Sequence, residues 1–209
     1  MKTDQKGKLL DALKVKMAKD NFLPLKKGAT RLVFGVGSPN AEILFIGEGP
    51  GYWEDQKGEP FVGNAGKLLD SLLQLIKLDR RIVYITNVVH HRPPENRDPS
   101  SEEIKAYGKY LDEIIRIIDP KIIVTLGRFS MAKFLPFVKI SSVHGKVHKV
   151  EWGGKDLIIV PMYHPAAALR NPEVMRQEKA DFLKMPETLS DLEKKEKEEK
   201  LKGEQMNLI

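Results

Sequence analysis

Hydrophobic residues along this chain follow two spacings, one typical of helices and one typical of buried strands. The spacing of its leucines and Met17 predicts a first helix over about residues 8–19. Continuous apolar runs predict strands that are buried on both faces of a sheet. The predicted strands are Ile43–Ile46, Ile82–Ile85, Ile122–Leu126, Val147–Trp152 and Leu157–Pro161.

Two longer segments have their apolar positions on one helical face. The leucines of Ala65–Ile76 predict one helix, and Ser100 with Glu103 forms a capping-box pattern that opens another, which Pro120 ends. Strands that alternate with helices indicate a mostly parallel sheet covered on both faces. We therefore predict a three-layer α/β/α fold whose central sheet has about four strands.

The charge of the chain is unevenly distributed. Its formal net charge is +6, but residues 187–209 contain seven acidic residues and five lysines, which leaves +8 on residues 1–186. We predict one α/β domain over residues 1–186 and a charged tail over 187–209 that is a solvated helix or disordered. A basic domain is compatible with a polyanionic partner, although surplus surface lysine alone gives the same charge.

The chain contains no cysteine, which excludes disulfides, thiolate metal sites and thiol nucleophiles. His90 and His91 would form a metal site only if His144 or His148 converged with them, and we predict no metal site. No apolar run approaches the roughly 18–20 residues that span a bilayer, and the first residues do not resemble a signal peptide. We therefore expect a cytoplasmic protein.

Polar segments rich in glycine or proline follow three of the predicted strands. Ligands of parallel α/β sheets bind at the carboxyl ends of the strands, so Gly47–Gly66, Thr86–Asp98 and Tyr163–Asn171 form the candidate site. The glycines of residues 47–51 either let backbone N–H groups approach a ligand or form only a tight turn. They are not a phosphate loop, because no Gly-Lys-Ser/Thr follows them.

Three side chains of these segments are suited to a nucleobase. Phe61 either packs as a loop anchor or stacks on a base. Asn87 either forms a turn or recognises a base. In the second case its amide donor and acceptor match the O4 and N3–H of uracil and mismatch cytosine. His164 lies at a strand end in a polar loop, where it is either structural or catalytic.

Together these segments resemble the uracil-DNA glycosylase superfamily, specifically its family 4 of thermostable bacterial and archaeal enzymes. The resemblance covers about residues 23–176, and its motifs occur in the order that the family has. The matching segments are GEGPG (47–51) with ED (54–55), GEPFVG (58–63) with AG (65–66), TNVV (86–89), RPPENRDP (92–99), HGK (144–146), YHPAA (163–167) and LRNP (169–172).

The resemblance implies an enzyme that hydrolyses the N-glycosidic bond of deoxyuridine in DNA and leaves an abasic site. The implied catalytic residues are Glu48, Asn96 and His164, of which His164 donates to uracil O2 and Glu48 or Asn96 acts on the water. The implied uracil-binding residues are Gly49, Glu54, Phe61 and Asn87, with Glu54 against the C5 edge. The implied DNA-contacting residues are Ala166, Arg170 and Asn171.

Members of family 4 normally hold an iron–sulfur cluster on four cysteines. Motif spacing puts those positions here at Asp20, Leu23, His91 and Tyr107, which cannot reproduce a four-thiolate site. We therefore expect no cofactor, with Leu23 and Tyr107 packed against neighbouring side chains where the cluster would lie.

Two other functions stay open. A protein of the same fold would bind or trap uracil-containing DNA without turnover, a hypothesis that the missing cysteines motivate. A generic nucleotide- or phosphate-binding protein is less compatible with the missing phosphate loop. The expected partner is uracil-containing single- or double-stranded DNA, and we expect a monomer at the nucleoid. Residues Gln205–Ile209 resemble the start of sliding-clamp-binding peptides but lack their aromatic pair.

Overall fold

Six strands form one sheet in this computed structural model, which describes residues 3–206, with side chains described for residues 5–187, 190 and 194. The strands are β1 (Val36–Gly37), β2 (Ile43–Gly47), β3 (Tyr84–Asn87), β4 (Ile122–Leu126), β5 (His148–Trp152) and β6 (Lys155–Met162). Their order across the sheet is β1-β3-β2-β4-β6-β5. The central four strands are parallel, and β1 and β5 are antiparallel edge strands.

Helices cover both faces of this sheet. They are α1 (Thr3–Lys19), α2 (Tyr52–Lys57), α3 (Asn64–Leu75), α4 (Ser101–Ile118), α5 (Arg128–Ala132), α6 (Ile140–Val143), α7 (Pro165–Ala168) and α8 (Pro172–Met206). On one face α1 packs against α4, and on the other α3, α7 and α8 contact one another. The predicted three-layer fold with a mostly parallel sheet is confirmed, but the sheet has six strands rather than about four, because β1 and β5 extend its two edges.

The side chains of the central strands alternate between two hydrophobic clusters. In β2, Leu44 and Ile46 belong to the cluster beneath α1 and α4, whereas Ile43 and Phe45 belong to the cluster beneath α3 and α8. Because successive residues of a strand point to opposite faces, a continuous apolar run fills both clusters at once. This explains why the central strands have no polar alternation.

Helix α4 begins where the capping box predicts. The Ser100 hydroxyl accepts the Glu103 backbone N–H at 3.2 Å, and the Ser100 backbone N–H donates to Glu103 Oε2 at 2.7 Å. The helix ends at Ile118, and Asp119 takes a left-handed conformation with φ of 49° before Pro120. The predicted start and stop of this helix are both confirmed.

Several elements differ from the sequence prediction. Helix α2 lies in the segment that was expected to be a long loop, and the edge strand β1 is too short to leave a hydrophobic pattern. Strand β3 begins at Tyr84 rather than Ile82, because Ile82 is 57% exposed on the preceding turn. These shifts leave the predicted layer arrangement intact.

The C-terminal region is helical in the structure. Helix α8 crosses the predicted domain boundary at residue 186 with Pro186 inside it, and that boundary stays a prediction. Of the clamp-like segment Gln205–Ile209, residues 207–209 lie outside the described residues, and the side chains of the other two are not described. Within the described part of the chain, no helix combines the length and the apolarity needed to cross a membrane.

Candidate active site

A cleft of about 600 Å³ opens at the carboxyl ends of the four parallel strands. The loops after β2, β3, β4 and β6 each contribute to its walls, as expected for an open α/β sheet. Asn171 is the one sequence-predicted site residue that does not line it. The predicted residues that do are Glu48, Gly49, Glu54, Phe61, Asn87, Asn96, His164, Ala166 and Arg170.

The loops after β2 and β3 remain hydrogen-bonded to each other beyond the ends of their strands. Gly47 pairs with Asn87 in the parallel register, the Val88 N–H donates to the Gly47 carbonyl at 3.0 Å, and the Val89 N–H donates to the Glu48 carbonyl at 3.1 Å. A Cβ atom on Gly47 would lie 2.4 Å from Asn87 Oδ1 and 2.6 Å from the Phe61 ring. Glycine at this position therefore allows both side chains to pack against the end of β2.

Phe61 is held in a strained turn at the floor of the cleft. Its φ is 55°, a conformation that non-glycine residues rarely adopt. Arg80 Nη2 donates to the carbonyls of Pro60 and Phe61 at 2.8 and 3.1 Å, and Gly66 of α3 packs so tightly that a Cβ atom would lie 1.9 Å from the Phe61 oxygen. Such strain persists only where the surroundings fix it, so the ring orientation is preorganised.

Glu54 stabilises the same turn from the other side. Its Oε1 accepts the backbone N–H groups of Val62 and Gly63 at 2.9 and 2.7 Å. This role was not predicted, because the carboxylate bonds backbone groups that lie eight and nine positions further along the chain. No local sequence pattern indicates such contacts. Glu54 also lines the cleft, so one side chain holds the turn of Phe61 and faces the ligand space.

Asn87 is only 2% exposed, and its side-chain amide forms no hydrogen bond with any described residue. The amide atoms are not among the fully buried polar atoms that lack a partner, so they reach the cleft, where a ligand can complete their hydrogen bonds. Asn87 Oδ1 and the Phe61 ring both lie beside Gly47 at the cleft wall. This arrangement is suited to reading the edge of a planar, hydrogen-bonding ligand.

His164 caps the short helix α7 with its own ring. Nδ1 accepts the backbone N–H of Ala166 at 3.1 Å, which assigns the proton of the neutral imidazole to Nε2. Burial and the nearby Arg170 lower the pKa of His164 to about 4, so the ring is neutral near pH 7. The ring stacks on Phe61 with 5.7 Å between centroids. The cleft thus contains an imidazole that donates through Nε2.

Glu48 follows β2 directly and is half-buried in the cleft wall. Burial, followed by the charge of Asp98, raises the pKa of Glu48 to about 7, against the opposing effect of Arg128 and Arg170. A carboxyl group that titrates near neutral pH can exchange protons with a substrate or a water molecule. Glu48 is therefore the best candidate for a general base in the cleft.

The remaining predicted residues have different surroundings. Asn96 has φ of 55°, and its Oδ1 accepts from Arg92 Nε at 2.7 Å at the cleft rim. Arg170 is exposed and donates through Nε to the Ala166 carbonyl at 3.0 Å. Asn171 accepts the backbone N–H of Glu173 at 2.9 Å and so caps the start of α8. The structure gives Asn171 a local structural contact rather than a place in the cleft.

Some cleft residues were missed by the sequence analysis. Arg128 lies two positions after the last residue of β4 and pairs with Asp98 across the cleft wall, a position that the strand-end rule could have found. Tyr163 also lines the cleft and contacts the His144 ring, with 4.5 Å between centroids. His144 Nδ1 lies 2.6 Å from Asp181 Oδ2, a partner 37 positions away that no sequence pattern indicates.

The comparisons with known proteins agree with this geometry. Residues 34–189 match the family model described as the uracil DNA glycosylase superfamily. The chain belongs to this superfamily. It is 50% identical to the type-4 uracil-DNA glycosylase of Archaeoglobus fulgidus over 78% of this chain and 84% of the relative. It is 41% identical to the type-4 uracil-DNA glycosylase of Thermotoga maritima, also over 78% of this chain and 84% of the relative. The predicted resemblance to family 4 is confirmed.

The four positions at which family 4 normally has cysteines make other contacts in this superfamily member. His91 Nδ1 and the Tyr107 hydroxyl are joined by a hydrogen bond of 2.7 Å, and Leu23 packs in the same hydrophobic cluster as Tyr107. Asp20 Oδ2 accepts from Lys109 Nζ at 2.8 Å and from the Tyr110 hydroxyl at 2.7 Å. This set of side chains does not fit an iron–sulfur cluster, since none is a thiolate.

The histidine side chains of this superfamily member form hydrogen bonds with different residues. His90 is buried, and its Nε2 lies 3.2 Å from Thr86 Oγ1, whereas His91 bonds Tyr107 and His144 bonds Asp181. Among the residues that the structure describes, no three His, Cys, Asp or Glu side chains converge as a metal site.

Proposed function

We propose that this superfamily member excises uracil from DNA by hydrolysing the N-glycosidic bond of deoxyuridine, which releases uracil and leaves an abasic site. The observation that carries this proposal is the convergence of the unbonded Asn87 amide, the Phe61 ring and the neutral His164 ring in one cleft. Each of the three matches a different chemical feature of uracil, and the type-4 relatives bear the name of this activity.

Recognition begins with extrusion of the nucleotide, because its glycosidic bond is inaccessible inside a duplex. The extruded base stacks on Phe61, whose orientation is fixed by Arg80, Gly66 and Glu54. Asn87 then donates to uracil O4 and accepts from N3–H, whereas cytosine presents a donor and an acceptor in the reverse order. Glu54 lies against the C5 edge, where it disfavours the methyl group of thymine.

Cleavage develops negative charge on uracil O2 and positive charge on the deoxyribose. The Nε2–H of His164 donates to O2, and the bond between Nδ1 and the Ala166 N–H keeps that proton on Nε2. Because the ring is already oriented and neutral, its donor needs no reorganisation when the charge appears. One preorganised donor of this kind contributes about 10²–10³-fold to the rate.

Glu48 accepts the proton of the attacking water. A carboxylate can take that proton, whereas the amide of Asn96 cannot, so Asn96 orients the water or the sugar instead. The carboxylate charge also stabilises the positive deoxyribose. Gly49 lies beside Glu48, and a Cβ atom there would be 2.7 Å from Val89 Cγ2, so glycine keeps this backbone against the loop after β3.

The DNA backbone lies across the mouth of the cleft in this proposal. Arg170 and the segment from Ala166 to Asn171 contact phosphates and hold the base out of the stack. Arg97 and Arg128 also line the cleft, but their charges are paired with Glu103 and Asp98. Uracil in single- or double-stranded DNA is the substrate, with a monomer as the active form. Because the substrate is DNA, we place its action at the nucleoid in the cytoplasm; a sliding clamp as partner stays a prediction.

We also propose that this chain requires no iron–sulfur cluster. The bond between His91 and Tyr107, the buried Leu23 and the Asp20 pair with Lys109 tie together the segments that the four cysteines would otherwise join. Burial also lowers the pKa of His91 to about 4, so this hydrogen bond is made by a neutral ring. These noncovalent contacts hold the segments together without iron, and they do not depend on the redox state.

The cluster proposal predicts an iron-free, chelator-resistant protein. Protein prepared under anaerobic conditions should be colourless, contain no stoichiometric iron by elemental analysis and excise uracil equally well with and without excess chelator. Tyr107→Phe should lower the free energy of unfolding by about 1–3 kcal/mol, because it leaves the buried His91 Nδ1 unpaired. A brown preparation with iron in proportion to protein would contradict the proposal.

The function itself is tested with a single-stranded oligonucleotide that carries one deoxyuridine. Enzyme excess should convert it to an abasic strand that alkali cleaves at the uracil position, whereas the matched thymidine oligonucleotide stays intact. If the protein binds the uracil strand but produces no alkali-labile site, the glycosylase proposal fails and the non-catalytic binding hypothesis takes its place.

A further inference from the structure

Two aromatic side chains stand exposed beside the cleft. Tyr52 and Trp53 are 49% and 57% exposed, and they lie on α2 between Gly51 and Glu54, which both line the cleft. Their rings meet edge to face with 5.1 Å between centroids and 77° between planes. We call Tyr52 and Trp53 the rim aromatics.

The rim aromatics are held by both neighbouring walls of the cleft. The Arg92 guanidinium lies over the Tyr52 ring at 5.2 Å, and Arg92 also donates to Asn96 at the rim. On the other side, a Cβ atom on Gly63 would lie 3.6 Å from Trp53 Cδ1, so the indole lies beside the turn that holds Phe61. The two rings therefore have a defined position relative to the base pocket.

Both rings are about half exposed, and the chemistry proposed above uses neither of them. Large exposed aromatic groups beside a functional cleft mark a contact surface more often than isolated apolar residues do. The charge around them favours one class of partner, because Arg92, which lies on Tyr52, bonds the neutral Asn96, and Arg170 in the adjoining cleft bonds a backbone carbonyl. The other two arginines of the cleft, Arg97 and Arg128, are paired with Glu103 and Asp98. Flat π-faces combined with guanidinium groups are suited to unpaired nucleobases and their phosphates.

We propose that the rim aromatics stack on an unpaired base next to the extruded uracil, on the strand that carries it. This inference rests on the proposed function, because the cleft fixes where that strand runs. A base paired in a duplex does not offer its face to these rings. The rim aromatics therefore favour single-stranded DNA, or duplex that is already opened at the lesion, over intact duplex.

Binding can be observed without catalysis, because Trp53 is one of only two tryptophans in the chain. The other, Trp152, packs against Phe134 and carries Arg116 and Lys133 over its ring. In a Trp152→Phe protein, uracil-free oligothymidylate should quench the Trp53 fluorescence in a saturable manner. If fluorescence anisotropy reports binding of the same oligonucleotide while Trp53 is not quenched, the proposal is overturned.

Single-site variants separate stacking from a general loss of structure. Tyr52→Ala and Trp53→Ala should each weaken single-strand binding by roughly 5- to 100-fold with little change in the saturated excision rate. Tyr52→Phe and Trp53→Phe should retain most of the affinity, since the ring and not its polar group makes the contact. Phe22→Ala is the matched control, because Phe22 is 95% exposed and lies outside the cleft lining, and it should bind like wild type.

The outcomes distinguish the two proposals. Equal losses on single-stranded and intact duplex DNA, or loss of affinity in the phenylalanine variants, would overturn the stacking role even if uracil is excised normally. Conversely, saturable quenching of Trp53 by a protein that releases no uracil would support the rim aromatics and refute the glycosylase activity.

Discussion

Replacing Glu48 with glutamine is expected to lower single-turnover uracil excision by about 10²–10⁴-fold, the usual contribution of a general base. Glutamine keeps the shape and hydrogen bonding of the side chain but cannot accept the proton of the water. DNA affinity should be unchanged or slightly higher, because the variant removes a negative charge near phosphates. The measurement is the rate of abasic-site formation with enzyme in excess over a single-stranded uracil substrate.

The pH dependence of the wild-type rate gives an independent check on Glu48. The base must be ionised, and its pKa is raised to about 7, so the rate should rise with pH up to about 7 and then level. His164, whose pKa is lowered to about 4, stays neutral across this range and adds no second limb there.

A control for Glu48 is available at the opposite end of β2. Glu42→Gln removes an exposed carboxylate that directly precedes β2 and pairs with Lys121, and it should keep both the rate and the pH profile of wild type. The Glu48→Gln variant should lose the limb near neutral pH. If that variant instead retains the wild-type rate and the same limb, another group acts on the water.

Replacing Asn87 with aspartate should produce the second large effect. The variant loses the N–H donor to uracil O4 and puts a carboxyl group at a position that is 2% exposed. Loss of a buried bond together with an unpaired polar group costs about 3–4 kcal/mol, which corresponds to roughly 10²–10³-fold in the rate on uracil. The carboxyl can accept from the N4 amino group of cytosine, so the ratio of cytosine to uracil excision should rise.

Asn40→Asp provides the matched comparison, since Asn40 is exposed on a turn and the chemical change is the same. It should leave rate and selectivity unchanged. Rates for both variants are measured under enzyme excess on otherwise identical strands that carry uracil or cytosine. Wild-type kinetics together with wild-type selectivity in Asn87→Asp would remove Asn87 from base recognition.

Local sequence patterns were sufficient to predict the core of this fold. The apolar run of β4 and the Ser100–Glu103 capping box each depend on residues that are close in sequence, and both appear where predicted. Helix α2 was missed because it has only six residues and exposes Tyr52 and Trp53, so it carries no apolar stripe. Short elements that are fixed by tertiary contacts leave a weak periodic signal.

The site was predictable to the extent that it follows strand ends. Glu48, Asn87 and His164 each lie at the last residue of a parallel strand or within two residues after it, and the structure places all three in one cleft. The contacts that fix the surrounding residues were not predictable, because they join segments distant in the chain. The bonds from Arg80 to the Phe61 carbonyl and between His144 and Asp181 are of this kind.

The most direct test of the central claim is the identity of the released product. A single-stranded oligonucleotide with one deoxyuridine is incubated with excess protein and chelator, and the free bases are quantified by mass spectrometry. One equivalent of uracil per strand is expected, with no thymine or cytosine released from matched strands. Absence of free uracil from a folded protein that binds the strand would contradict the central claim.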